Sequence, residues 1–350
     1  MPDPIKSSDF EVQAILLDTY YIPVLKVSAG PVYQLKRTLW SVFKSTLKTY
    51  FDTFYLAISY KAAGGTIVTG TDDVKYVTPK AIYDAGISRT YPCEGRLTLQ
   101  SWVAVSTTDQ ADKTTLYFTQ FMGDRIAIYD GTLWRNYLLS QISLDISAFT
   151  ASKPYDIFIY NNAGTLTLEG LVWTNGTTRA TALTTLHGVY VKTGDNTRRY
   201  LGTIYMDAAS TCQDTAVSRF VWNYYNRQIR NLDCAENTSH AYNGAIRKWN
   251  NSDTNNLFQF IVGLNLSVQF TLEANLKAGA DASQMTVTGY LNDAAVTNFK
   301  LANYNVQILI AGSFKRVAIA PGYNKFQLYE LGDHATSTGA WMWLNAWIEG

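Results

Sequence analysis

The sequence predicts a mainly β protein, in which an N-terminal arm and a short helix precede β-sandwich domains of jelly-roll-like type. Three observations predict it. Short runs rich in β-branched and aromatic residues recur from Arg96 to the end, separated by turn signals. Charged residues make up only 16% of the chain against 14% aromatic, a balance that suits sheet surfaces built from neutral polar side chains. Helical spacing is confined to the N-terminal part. With 350 residues and 47% hydrophobic content, the chain has ample material for a core.

The elements divide the chain into four segments: 1–62, an arm and an amphipathic helix; 63–90, a linker with a short helix; 91–206, a first β domain; and 207–350, a second β-sandwich domain. Residues 1–34 carry Pro2, Pro4, Pro23 and Pro31 among short apolar runs, which suits an extended arm or small strands. From Leu35 to Tyr55, Trp40, Phe43, Leu47, Tyr50 and Phe54 recur at alternating spacings of three and four, which puts five large apolar groups on one helical stripe. Such a stripe suits either a short parallel bundle of three chains or one helix packed on its own β domain. Thr78 and Pro79 read as N-cap and first residue of a small helix, and Gly86 as the residue that ends it.

From Arg96 the runs LTLQSWVAV, TTLYFTQF, RIAIYD, TLWRNYLL, YDIFIY and TLTLEGLVW read as strands. Asp130–Gly131 has the composition of a tight type I′ hairpin turn, and Asn161–Gly164 is expected to do the same job for the next hairpin. VYVKT, RRYLGTIYM, SRFVWNYYN, LFQFIVG, LSVQFTLEA, QMTVTGYL, VQILIAG, KRVAIA and KFQLYEL follow, before the terminal WMWLNAWIEG.

Composition and motifs narrow the chemistry. A net charge of +1 with no dense Lys/Arg cluster argues against nucleic acid as a partner. The N-terminus lacks the order of a secretory signal and no long apolar run appears, so no membrane insertion is expected. Cys93, Cys212 and Cys234 are an odd number without a close pair, and read as packed thiols. The histidines follow no metal-ligand spacing, so neither metal nor cofactor is expected. Asp124, Asp130, Asp156 and Glu169 are the carboxylates a glycan-cleaving site would draw on, but in β turns such groups usually cap backbone or face water. No nucleophile elbow, phosphate loop or dinucleotide fingerprint is present, and no catalytic residue is assigned. Trp341, Trp343 and Trp347 share strand parity, so they either stack on sugar rings or fill an inter-subunit axis.

Several blocks resemble virion surface proteins of tailed bacteriophages, of the tail-fibre or appendage type. The blocks are LKTYFDTFY at Leu47–Tyr55, GTDDVKYVTPKAI at Gly70–Ile82, YDGTLWRNYLL, YDIFIYNNAGTLTLEGLVWTNGTTRATAL, and the stretch from Gly188 to Arg227. The resemblance covers Leu35 to Arg227; residues 228–350 match only in general β character. It implies a non-enzymatic homotrimer on the virion surface, made in the host cytoplasm, with residues 1–62 docking on tail, baseplate or major capsid protein. The β domains would then face host-surface glycan. The alternative it leaves open is a capsid decoration or cement protein. Arg198, Arg199, Tyr200, Trp222, Asn223 and Arg227 belong to the recurrent block and are expected to fix turns, with Asp195 and Asp214 as the acids at hand. Alternation sends Phe220, Trp222 and Tyr224 inward, and Arg219, Val221 and Asn223 toward a subunit interface.

Overall fold

The computed structural model describes residues 11–17, 20–26, 33–54, 62–63, 77–84 and 91–350. The chain is mainly β and forms two compact units, Met1–Ile87 and Ser88–Gly350. In the first unit β1 (Glu11–Leu17) and β2 (Tyr20–Lys26) form an antiparallel hairpin with Leu17 opposite Tyr20. Helix α1 spans Tyr33–Phe54, and α2 spans Pro79–Asp84. Thr78 caps α2, its Oγ1 accepting the Ala81 N–H at 3.2 Å. Gly86 lies outside the described residues.

The second unit begins with β3 (Gly95–Thr98), β4 (Gln110–Lys113), β5 (Thr115–Gln120), β6 (Arg125–Tyr129), β7 (Trp134–Leu138) and β8 (Ile142–Asp145). Strands β3, β5 and β8 form one small sheet, and β6 and β7 a hairpin. Then come β9 (Lys153–Asn162), β10 (Thr165–Val172), β11 (Leu183–Leu186), β12 (Val189–Lys192) and β13 (Asp195–Met206), which make a sheet in the order β10-β9-β13-β12-β11. Short strands β14 (Cys212–Asp214), β15 (Ser218–Arg219) and β16 (Val221–Asn223) tie the halves together. β14 pairs with β4, β16 with β13, and β15 runs parallel to β19 (Leu257–Val262).

The sheet built on β9 and β13 is a central layer. Ile157, Ile159 and Ile204 pack on one side with Leu97, Phe118 and Ile126, while Phe158 and Tyr200 point into a second core with Trp222, Phe260 and Phe270. Burial on both faces explains why YDIFIY is apolar without alternation.

The last layer adds β17 (Ile229–Glu236), β18 (His240–Lys248), β20 (Leu266–Lys277), β21 (Met285–Leu291), β22 (Ala294–Asn303), β23 (Leu309–Ile319) and β24 (Gly322–Glu349). At 28 residues β24 is its spine. One edge pairs in turn with β19, β18 and β17; the other pairs with β21 and then β20, which carries β23.

Turn chemistry differs from expectation at one hairpin. The β6–β7 connection is the four-residue loop Asp130–Leu133, in which Asp130 Oδ1 accepts the N–H groups of Thr132 and Leu133, and only Gly131 has positive φ. The carboxylate organises a wider loop in place of the two-residue turn. The two-residue geometry occurs at Ala163–Gly164, where φ is 49° and 100°.

Candidate functional site

Strand β24 alternates over its last third, although Asn345 on the outward side is itself buried. Met342, Leu344, Ala346 and Ile348 enter the core, so Trp343, Asn345 and Trp347 project from the opposite face. Trp343 is 39% exposed and Trp347 47%, while Trp341 is half-buried. Register places their neighbours. Across β17-β24-β20-β23, one row runs Ala235, Trp343, Glu273, Gly312; the next runs Asp233, Asn345, Thr271, Phe314; the third runs Asn231, Trp347, Gln269, Arg316. Phe314 on the edge strand is 75% exposed.

This face therefore offers two indoles about 13 Å apart along one strand, with two carboxylates, a hydroxyl and amides between and beside them. The Trp343 indole N–H donates to Asp233 Oδ1 at 2.5 Å, which holds the ring in one orientation. Asn345 Nδ2 donates to Asn231 Oδ1 at 2.7 Å, linking the same two strands. The alternation of LSVQFTLEA is visible in the sequence, but its register against Trp343 is not, so Gln269, Thr271, Glu273 and Asp233 were not expected at the site.

The recurrent block is held within the chain. Arg199 is fully buried and donates to the carbonyls of Ala127 (2.6 Å), Pro92 (2.8 Å) and Tyr91 (2.9 Å), with its guanidinium over the Tyr225 ring. Arg198 lies over Tyr160 and pairs with Glu169 at 2.7 Å and Asp195 at 3.5 Å. The Tyr200 hydroxyl meets Thr203 Oγ1 at 2.6 Å; burial pushes its pKa well up. The Trp222 N–H donates to the Glu349 carbonyl, and Arg227 stacks over Trp222 and Tyr224. Asn223 is buried, not turned toward a subunit interface: its Oδ1 accepts the Leu97 N–H at 2.7 Å and its Nδ2 donates to the Leu97 carbonyl at 3.1 Å. Both faces of β16 are covered, which removes the outward side that alternation assumed. Asp214 pairs with Arg219 and Arg230, not with Arg198 or Arg199.

The carboxylates considered for catalysis are dispersed. Asp156 is buried against Arg179 at 2.6 Å and accepts from Thr203; burial pushes it up against the pull of Arg179. Glu169 binds Lys192 and Arg198, Asp130 organises its loop, and Asp124 pairs with Arg125 at the surface. Cys93, Cys212 and Cys234 are unpaired, and burial raises all three thiols, Cys234 to about 12. Among the described residues no three His, Cys, Asp or Glu side chains gather as a metal site, and no helix is long and apolar enough to cross a membrane.

In the first unit the stripe residues Trp40, Phe43, Leu47, Tyr50 and Phe54 all lie on α1; Phe43 and Leu47 are half-buried and Tyr50 is exposed. The side chains of Trp40 and Phe54 lie outside the described residues.

No protein-family model matches the chain, and no curated protein matches it in sequence. Solved structures give distant likenesses. A β-glucosidase from Paenibacillus barengoltzii is 9% identical over 33% of this chain and 10% of its own, with a TM-score of 0.21. The C-terminal CBM6 of LamC from Zobellia galactanivorans is 13% identical over 33% of this chain and 98% of its own, at 0.18. The infectious bursal disease virus VP2 subviral particle is 12% identical over 65% of each chain, at 0.24. This chain thus spans a tenth of the glucosidase's length. At these values neither fold nor activity transfers from any of them.

Proposed function

We propose that this chain is a virion appendage protein, of the tail-fibre type it resembles, and that it binds host-surface glycan on the face carrying Trp343 and Trp347. The exposure of these two indoles on one sheet face is the observation that carries the reading. An exposed indole offers an apolar plate to the hydrophobic face of a pyranose ring, and an aromatic patch left uncovered on a sheet marks an interaction surface. Gln269, Thr271 and Glu273 stand beside the plates to meet ring hydroxyls. In this reading residues 1–62 dock on tail or baseplate protein and the stripe of α1 joins three chains. Avidity among copies then offsets weak single sites.

Two experiments test it. Immunogold labelling of intact virions with antibody against residues 91–350 is expected at the tail or its tip; gold spread evenly over the head favours capsid decoration instead. Adsorption of particles carrying Trp343→Ala is expected to fall while the β unit stays folded. Normal adsorption overturns the glycan reading.

A further inference from the structure

A cavity of about 140 Å³ opens on the edge of β17 away from β24. Ser106 and Asp109 of the segment after β3 form one wall, and Arg219, Arg230 and Asn231 the other. Arg219 Nη1 reaches Asp214 Oδ1 at 2.8 Å and Arg230 Nη2 reaches Asp214 Oδ2 at 3.0 Å, so the two cations share one carboxylate. Arg96 lies behind them, buried, its N–H groups on the carbonyls of Ala104, Asn226 and Gly350. Three guanidinium groups thus stand against the side-chain carboxylates of Asp214 and Asp109, and Asp109 Oδ1 is already engaged by the Ala216 N–H at 3.0 Å.

Donors remain to be used. A guanidinium carries five N–H groups. Arg219 places three of them, on Asp214 and the Asn231 carbonyl, and Arg230 places two, on Asp214 and the Ser106 carbonyl. Both side chains are largely buried. Ser106 is 5% exposed and lines the cavity, yet its Oγ has no protein partner. A buried hydroxyl in that state lacks a hydrogen bond that a ligand oxygen can restore. Burial lowers the Arg96 pKa to about 10 and lowers that of Arg230, with repulsion from a neighbouring arginine contributing at both. An anion in the cavity offsets the repulsion between Arg219 and Arg230.

We propose that this cavity is an oxyanion site, in which Arg219, Arg230 and Ser106 take the carboxylate, sulfate or phosphate group of an acidic sugar. Asn231 connects the cavity to the aromatic face, because it lines the former and is the strand partner of Trp347. The naming of a sugar as carrier rests on the glycan reading above; the oxyanion site does not.

Calorimetry on the full chain at constant ionic strength, with chloride as reference, tests the site directly using sodium sulfate, phosphate and acetate. One saturable site per chain is expected for at least one of them. Arg230→Gln should weaken it about tenfold, as loss of a charge-assisted pair does. Ser106→Asp, which breaks no existing side-chain hydrogen bond, should fill the cavity with its own carboxylate and abolish binding; it carries the test if Arg230→Gln fails to fold. Absence of binding for all three anions, or unchanged binding in Ser106→Asp, overturns the site. A second arm compares neutral with uronic or sulfated oligosaccharides on wild type and Trp347→Ala. Preference for the acidic set, lost in both Ser106→Asp and Trp347→Ala, supports the acidic sugar. Anion binding that survives Trp347→Ala with no retention of any glycan leaves the oxyanion site standing and overturns its sugar carrier. Glycan retention without anion binding overturns the site alone.

Discussion

The Trp343 indole donates to the Asp233 carboxylate at 2.5 Å across the β17–β24 pair. This bond locks an exposed ring to a neighbouring strand, so the plate is preorganised and less rotamer entropy is lost when a ligand stacks on it. Asp233→Ala should weaken retention on a glycan matrix several-fold while costing only about 1 kcal/mol in urea unfolding. Trp343→Ala should abolish retention with a similarly small loss of stability. Equal retention by wild type and both variants would remove the face from the binding mechanism.

Arg199 predicts the opposite pattern, a large loss of stability. Its guanidinium sits in a fully buried niche and serves the carbonyls of Tyr91, Pro92 and Ala127 together. Arg199→Met should destabilise the β unit by about 3–5 kcal/mol, because three buried acceptors lose their donor at once. Arg199→Lys should recover only part of this, since an ammonium cannot reproduce the planar fork. Urea unfolding followed by tryptophan fluorescence measures both.

Local patterns were legible where one residue decides the geometry. Thr78 and Pro79 start a helix because a side-chain oxygen and a fixed φ suffice. Mainly β character was legible from turn spacing and β-branched runs. The continuity of β24 was not, because KFQLYEL and WMWLNAWIEG read as separate runs, with Gly332 and Gly339 lying between them. They are needed within the strand: a Cβ on Gly332 would lie 2.2 Å from the Tyr242 carbonyl oxygen, and one on Gly339 would lie 2.5 Å from the Trp249 ring. The oxyanion cavity was invisible for a different reason. Ser106 and Arg230 meet only through strand pairings between distant segments, and neither sits in a motif.

Gly202 sits opposite Asn223 where β13 pairs with β16. A Cβ there would stand 2.1 Å from the Trp222 carbonyl oxygen, and backbone cannot yield as a side chain does. The strand carries a bulge at this point, between Tyr200 and Gly202, which turns both Tyr200 and Leu201 into the interior. Gly202→Ala should cost about 3 kcal/mol and loosen the Asn223 clasp on Leu97. Hydrogen exchange at the Leu97 amide, which that clasp protects, is the local readout. Unchanged exchange would mean the pair of strands has slack the geometry does not display.

Stability should also vary with pH through one histidine. His240 Nε2 meets Glu330 Oε2 at 2.5 Å, and Glu330 is fully buried. Burial alone would lower the imidazole pKa, but the hydrogen bond and charge of Glu330 outweigh it, and the net shift is upward despite the repulsion of Arg247. The groups facing the ring are Glu330, Arg247, the Thr238 carbonyl and the edge of Trp249; the Asn250 N–H donates to the other oxygen of Glu330. A folded-state pKa raised above the unfolded value of about 6.5 contributes stability that is fully present below that value. The contribution is lost as pH rises through the folded pKa. Urea midpoints should therefore fall as pH rises from about 6.5 through the raised folded-state value. His240→Gln should flatten that slope and match the wild type most closely at the alkaline end, where the native imidazole is neutral. Glu330→Gln should remove the slope too but lower stability at every pH, because Arg247 loses its buried acid. A slope unchanged in His240→Gln would assign the pH dependence to another group.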